Sequence, residues 1–225
     1  QLEVMKDMRA GLIQLEIGVQ STNKQTLKAI NRDTDLSHLQ AMVAKVHEFH
    51  NIHQHLDLIA GLPFEDYESF AKSFDDVYAM KPQQLQLGFL KVLHGTPIQE
   101  NKDIVYADFP PYEVISTKWI TTGEICKLKL IDEAVDTINN SGAFKRTVAK
   151  LVGNNAFEFF ENISVIFDTN KALGRFDIYG EIYKIFGDVV YEELCLDFIE
   201  NSRNRPMPSF AKIKYPEGFK KMCST

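Results

Sequence analysis

Cysteine is scarce in this sequence: three residues, Cys126, Cys195 and Cys223, stand far apart among 225. No zinc or iron–sulfur ligand spacing is present, and an odd count gives no disulfide framework. Reduced thiols in a cytoplasmic protein are the expectation. Long hydrophobic runs are missing too. No stretch of about 18 apolar residues escapes a charge, which excludes a spanning helix, and no membrane partner is expected. Cations are outnumbered, 25 Lys and Arg against 31 Asp and Glu, and the net charge of −6 argues against a large nucleic-acid footprint. Gly and Pro, at 12 and 8, are too few for collagen-like or low-complexity architecture. The opening Gln1-Leu2-Glu3-Val4-Met5-Lys6 has neither an initiator Met nor a basic-then-apolar leader layout, so the chain reads as an excised piece of a longer protein. What is present, 44% hydrophobic residues, suffices for one large domain or two modest ones.

The two halves have different textures. Leu12 to Val19 alternates like a strand, and Asn23 to Ile30 reads as a short helix. Ser37 is a plausible N-cap for a helix through His50, with Leu39, Met42, Val43, Val46 and Phe49 on one face. A second strand, Leu56 to Ala60, stops at Gly61-Leu62-Pro63; a helix from Tyr67 to Met80 and a third strand from Gln84 to Val92 follow. Strand and helix in alternation imply parallel strands with right-handed crossovers. Three such steps make part of a TIM-like barrel rather than a closed one. Beyond the break at Asp108-Phe109-Pro110-Pro111-Tyr112, helical periodicity dominates: 120–139, 144–151, 156–168, 175–186 and 189–201. The expected organisation is therefore an incomplete α/β barrel over 1–105 and a mainly α-helical domain over 106–225.

Chemistry concentrates at the strand ends. Gln20 closes Leu15-Glu16-Ile17-Gly18-Val19-Gln20, Arg32 follows the first helix, and Asp57 opens Asp57-Leu58-Ile59-Ala60-Gly61-Leu62-Pro63. In parallel α/β folds, ligands bind at the carboxyl ends of the strands. An amide, a guanidinium fork and a carboxylate suit a ligand bearing hydroxyls, an amine and a carboxylate better than a bare phosphate. A structural role, with Asp57 capping a helix and Gln20 tying loops, accounts for any one of them equally well.

These residues resemble the second half of a radical S-adenosylmethionine (radical SAM) catalytic domain. The similarity is to the Fe–S oxidoreductase branch found with cobalamin-binding domains, and also to oxygen-independent coproporphyrinogen oxidases and related tRNA-modifying members. It rests on Glu16-Ile17-Gly18-Val19-Gln20-Ser21, then Asn31-Arg32, then Asp57 through Pro63, with Leu93-His94-Gly95-Thr96-Pro97 as the loop ending the last barrel strands. The helical half, with Phe109-Pro110-Pro111-Tyr112-Glu113-Val114 and Asn139 to Phe144, resembles the uncharacterised C-terminal domain attached to that branch. The resemblance implies that Gln20, Arg32 and Asp57 contact S-adenosylmethionine or substrate, that Glu16 faces the same interior, and that Gly61 lets the backbone approach a ligand. It also implies a [4Fe–4S] cluster, reductive cleavage of S-adenosylmethionine to a 5′-deoxyadenosyl radical acting on an unknown substrate, and cobalamin held outside this chain.

One departure is decisive. The Cys-x-x-x-Cys-x-x-Cys loop that holds the cluster is not in the sequence, so the parent protein is the expected enzyme and this piece alone is expected to be inactive. Two other classes compete: a binding or assembly module in the helical half, and a piece of an ordinary TIM-barrel metabolic enzyme. A small molecule or an unknown macromolecule is the expected substrate, and an exposed sheet edge is expected to promote self-association. The tract His47, His50, His53 and His55 is read as a solvated helix terminus rather than a metal site. Cys126 and Cys195 are read as small core hydrophobes. The Lys-rich end from Lys212 to Lys221 is read as a solvated tail.

Overall fold

Alternation builds the first sheet. In β1 (Gln14–Gln20), Leu15, Ile17 and Val19 point one way while Gln14, Glu16 and Gly18 point the other. β2 (His53–Ala60) buries Gln54, Leu56, Leu58 and Ala60, and β3 (Gln84–Phe89) buries Leu85 and Leu87. All three strands are parallel in the order β1-β2-β3. The crossovers are helical. A short α1 (Leu2–Lys6) precedes the sheet; α2 (Lys24–Ala29) and α3 (Leu36–His47) lie between β1 and β2, and α4 (Tyr67–Tyr78) lies between β2 and β3. On α4, Phe70, Phe74 and Val77 recur at helical spacing and are fully buried, a stripe that seals the apolar face of the sheet. The structure is a computed structural model and describes residues 2–153, 155–168, 173–202 and 205–212.

Helix starts follow side-chain capping. Asn23 and Asp66 cap α2 and α4 by accepting from the backbone N–H of Gln25 and Ser69. The start of α3 differs from expectation: Asp35, not Ser37, is the N-cap, and its Oδ1 accepts from His38 N–H at 3.0 Å. An ionised carboxylate also meets the helix dipole favourably, which a hydroxyl two residues later cannot do.

Past β3 the chain makes strands that helical periodicity did not foresee. β4 (Ile104–Tyr106) and β5 (Val114–Thr117) form an antiparallel hairpin. The stretch after β3 joins it: Val114 N–H donates to Leu90 O at 2.8 Å and Val92 N–H to Tyr112 O at 2.9 Å. These pairings tie residues 104–117 to the sheet. The two compact units are consequently Gln1–Asp132 and Glu133–Thr225, so the compact division falls beyond the expected boundary at 105.

Helix α5 (Thr122–Ala134) runs into a π turn at Val135–Asn140, and α6 (Lys145–Leu151), α7 (Ala156–Ser164), α8 (Arg175–Phe186) and α9 (Tyr191–Asn201) follow. Aromatic rings fill the core of the second unit: Phe144 and Tyr179 stand 4.3 Å apart between centroids, Tyr179 and Phe198 5.1 Å. Buried Asp197 caps α6, accepting from the backbone N–H of Arg146 and Thr147 and from the Thr147 hydroxyl at 3.1, 2.9 and 2.8 Å. Cys195 is buried as expected. Cys126 is exposed, because it occupies the outer face of α5 while Ile125, Leu128 and Ile131 take the inner one. Cys223 and the tail from Lys214 to Lys221 lie outside the described residues. Among the described residues, no helix is long and apolar enough to cross a membrane.

Candidate functional site

The second face of the first sheet is polar. Strand register sets its rows: Glu16 lies opposite His55, which lies opposite Gln84, and Gly18 lies opposite Asp57, which lies opposite Gln86. Residues directly across parallel strands share a face, so Gln14, Glu16, His55, Asp57, Gln84 and Gln86 form one polar surface. His55 anchors it. Although it belongs to a His-rich tract, the residue is only 5% exposed, and its Nδ1 lies 3.1 Å from both Glu16 Oε1 and Gln14 Nε2. The reading of the whole tract as solvated is thus corrected at His55, because a strand side chain is buried by its neighbours in register, not by its neighbours in sequence. Among the described residues, no group of three or more His, Cys, Asp or Glu is arranged to hold a metal ion.

Gln20 and Arg32 meet over Gly18. A side chain built on Gly18 would start 2.6 Å from Gln20 Nε2 and 3.6 Å from Arg32 Nη2. Arg32 reaches this point because its Nη1 donates to the Gly18 carbonyl at 2.6 Å. Gln20 reaches it through a β-bulge. The register with β2 slips between Gly18 and Gln20, and Gln20 takes a left-handed backbone, φ 71°. A Cβ at position 18 would push the Gln20 amide out of this space.

Asp57 lies in the row beside Gly18. Its Oδ1 is buried and has no hydrogen-bond partner. Burial foremost, then the nearby Glu16 carboxylate, raises its pKa, while His55 pulls it down. An orphaned carboxylate oxygen, one strand across from the Gly18 point that Gln20 and Arg32 approach, can accept from ligand hydroxyls or an amine. The residues present therefore fit a nucleoside- or amino-acid-like group.

Sequence reasoning thus places Gln20, Arg32, Asp57 and Glu16 in one neighbourhood. Gly61 differs. Its φ is +85°, and a Cβ there would meet Val114 Cγ1 at 2.8 Å, so turn geometry and packing against β5 account for it. Two participants were not foreseen. One is His55, hidden in a compositional tract. The other is Glu65, which the sequence reading did not single out and which is 1% exposed. The proximity of Glu65 to the Gly-Leu-Pro turn was the available signal.

Together these features define an α/β unit with a polar patch on one face of a parallel sheet, followed by an α-helical unit. Residues 100–225 match the family described as "Protein of unknown function (DUF4080)", and the chain belongs to that family. It is also 33% identical over 88 residues to the oxygen-independent coproporphyrinogen III oxidase of Escherichia coli (strain K12), a match covering 39% of this chain and 19% of the relative. The enzyme of the same name from Salmonella typhimurium is 32% identical with the same coverage. The chain spans about a fifth of the length of these curated relatives. A solved coproporphyrinogen III oxidase from Escherichia coli, described as a radical SAM enzyme, superposes with a TM-score of 0.43 at 24% identity, over 58% of this chain and 28% of that one. Over 88 residues, then, the chain is similar to oxygen-independent coproporphyrinogen III oxidases.

Proposed function

We propose that the first unit supplies S-adenosylmethionine-facing residues to a radical SAM enzyme, with Gln20, Arg32 and Asp57 as the contacts. One observation carries the reading: the Gln20 amide and the Arg32 guanidinium lie within 3.6 Å of one point above Gly18, whose partner in register is Asp57. The identity with coproporphyrinogen III oxidases supports it. Gln20 offers a donor and an acceptor, Arg32 a fork for a carboxylate, and the free Asp57 oxygen an acceptor for hydroxyls or an amine. Glu16 is held by Gln14 and His55 and adds negative potential to the patch.

A [4Fe–4S] cluster, when bound, supplies the electron for reductive cleavage of S-adenosylmethionine. The three cysteines here do not form its ligand loop, so this chain's own residues bind and orient while the cluster is ligated elsewhere in an intact enzyme. The same reading takes the three parallel strands as the last of a partial TIM-like barrel. It extends to the cobalamin-associated branch, a cytoplasmic setting and a small-molecule or macromolecular substrate.

The test is anaerobic reconstitution of the full-length protein, followed by measurement of 5′-deoxyadenosine from S-adenosylmethionine and of its affinity by calorimetry. Arg32→Ala and Asp57→Asn are each expected to weaken binding about tenfold, the loss of one charge-assisted hydrogen bond. An intact cluster with no cleavage product, or full affinity in both variants, overturns the reading.

A further inference from the structure

The loops that follow β1 and β2 meet over a buried carboxylate. Ser21, directly after Gln20, donates its hydroxyl to Glu65 Oε1 at 2.6 Å, and Ser73 of α4 donates to the same oxygen at 3.0 Å. All three residues are buried. The two hydroxyls are themselves acceptors. Asn23 N–H donates to Ser21 Oγ and Thr22 N–H to Ser73 Oγ, both at 3.0 Å. Asn23 Nδ2 adds bonds to Phe64 O and Ser69 Oγ at 3.0 and 2.9 Å, and the Thr22 hydroxyl donates to Asp76 at 2.6 Å. Three successive residues after Gln20 are thus fastened to the segment 64–76.

The residues preceding this pair are both strained. Gln20 has φ 71° and Phe64 φ 63°, left-handed values that are unfavourable for a non-glycine residue. Such conformations persist only where the surroundings over-determine them. The Ser21–Glu65 bond joins the chain immediately after both, so it stands where the two loops hold each other in place.

We propose that Glu65 is a positioning residue: it locks Ser21 so that Gln20 keeps its left-handed backbone and its amide stays over Gly18 beside Arg32. The ligand part rests on the S-adenosylmethionine reading above; the anchoring part does not. Glu65 touches no ligand in this scheme and acts through Ser21. Glutamine at the same position keeps an acceptor oxygen for both hydroxyls, whereas alanine keeps none.

The experiment uses the full-length protein with Glu65→Gln, Glu65→Ala and the milder Ser21→Ala, which serves if Glu65→Ala does not fold. Hydrogen exchange reads the Thr22 and Asn23 amides, and calorimetry reads affinity for S-adenosylmethionine. In Glu65→Ala and Ser21→Ala, exchange is expected to accelerate and affinity to fall, each about tenfold, while Glu65→Gln restores both to within about threefold of the parent. Exchange unchanged in both loss variants overturns the anchoring. Accelerated exchange with full affinity overturns the link to Gln20. If the parent protein itself binds no S-adenosylmethionine, the ligand reading fails, and the exchange arm alone decides the anchoring.

Discussion

Glu65→Gln removes a titration that folding has moved by more than two pH units. Burial foremost, with a smaller contribution from the Asp66 charge, pushes the Glu65 pKa from 4.5 up to about 7, against the downward pull of the Ser21 and Ser73 hydroxyls. Between those values the folded chain keeps a proton that the unfolded chain has released. The group's contribution to stability is therefore full below about pH 4.5, declines as pH rises, and is lost above about pH 7. At roughly 1.4 kcal/mol per unit, the decline totals about 3 kcal/mol. The sole tryptophan, Trp119, is the natural reporter. Its ring centroid lies 4.7 Å from that of Phe64, the residue before Glu65, and it belongs to the first unit. Urea unfolding followed by Trp119 fluorescence at about pH 5 and about pH 8 should show the parent losing about 3 kcal/mol more than Glu65→Gln between the two. Other titrations, Asp57 included, cancel in that difference. Parallel pH profiles for parent and variant would refute the reasoning.

Gly61→Ala should destabilise the first unit by about 1–3 kcal/mol in the same assay, combining the left-handed backbone with the collision at Val114; Val114→Ala in the same chain should recover part of that loss, and strict additivity would refute the contact. In the second unit, Asp197→Ala strips the cap from α6 and should cost about 2 kcal/mol by thermal unfolding, whereas Glu200→Ala, on an exposed partner of Arg146, should leave the midpoint nearly unchanged. Sedimentation velocity on the chain should show self-association at high concentration through the unpaired edge of β1; a concentration-independent monomer would count against that.

Much of the first unit was legible because strand and helix periods differ. The alternation through Leu15, Ile17 and Val19 and the stripe of Phe70, Phe74 and Val77 each suit one element only. The hairpin was not legible. β4 and β5 are three and four residues long, too short for a period, and they flank a Pro-rich connection that reads as a break. Asp35 and Ser37 are rival caps within one turn, and charge near the helix dipole decides between them. Of Gln20, Arg32 and Asp57, strand-end placement holds for Gln20 alone; Asp57 lies in the middle of β2 and Arg32 beyond α2, and register and the Arg32–Gly18 bond set where they lie. The supporting groups could not be foreseen, since His55 and Glu65 owe their burial to strands and loops far off in the sequence. Cys126 shows the reverse, an apolar-looking residue that the packing of α5 turns outward.

The slip between Gly18 and Gln20 also has a consequence for chain length. It spends one extra residue on β1: Gly18 pairs with Asp57 while Gln20, two positions on, pairs with Leu58, the very next residue of β2, so Val19 has no register partner of its own. Deleting that residue would make the ladder regular and move Gln20 and Ser21 one place back along the strand, where alternation no longer favours the Ser21–Glu65 bond. What this strand end encodes is a residue count as much as a composition, and an otherwise conservative shortening by one position would undo the tie between the two loops.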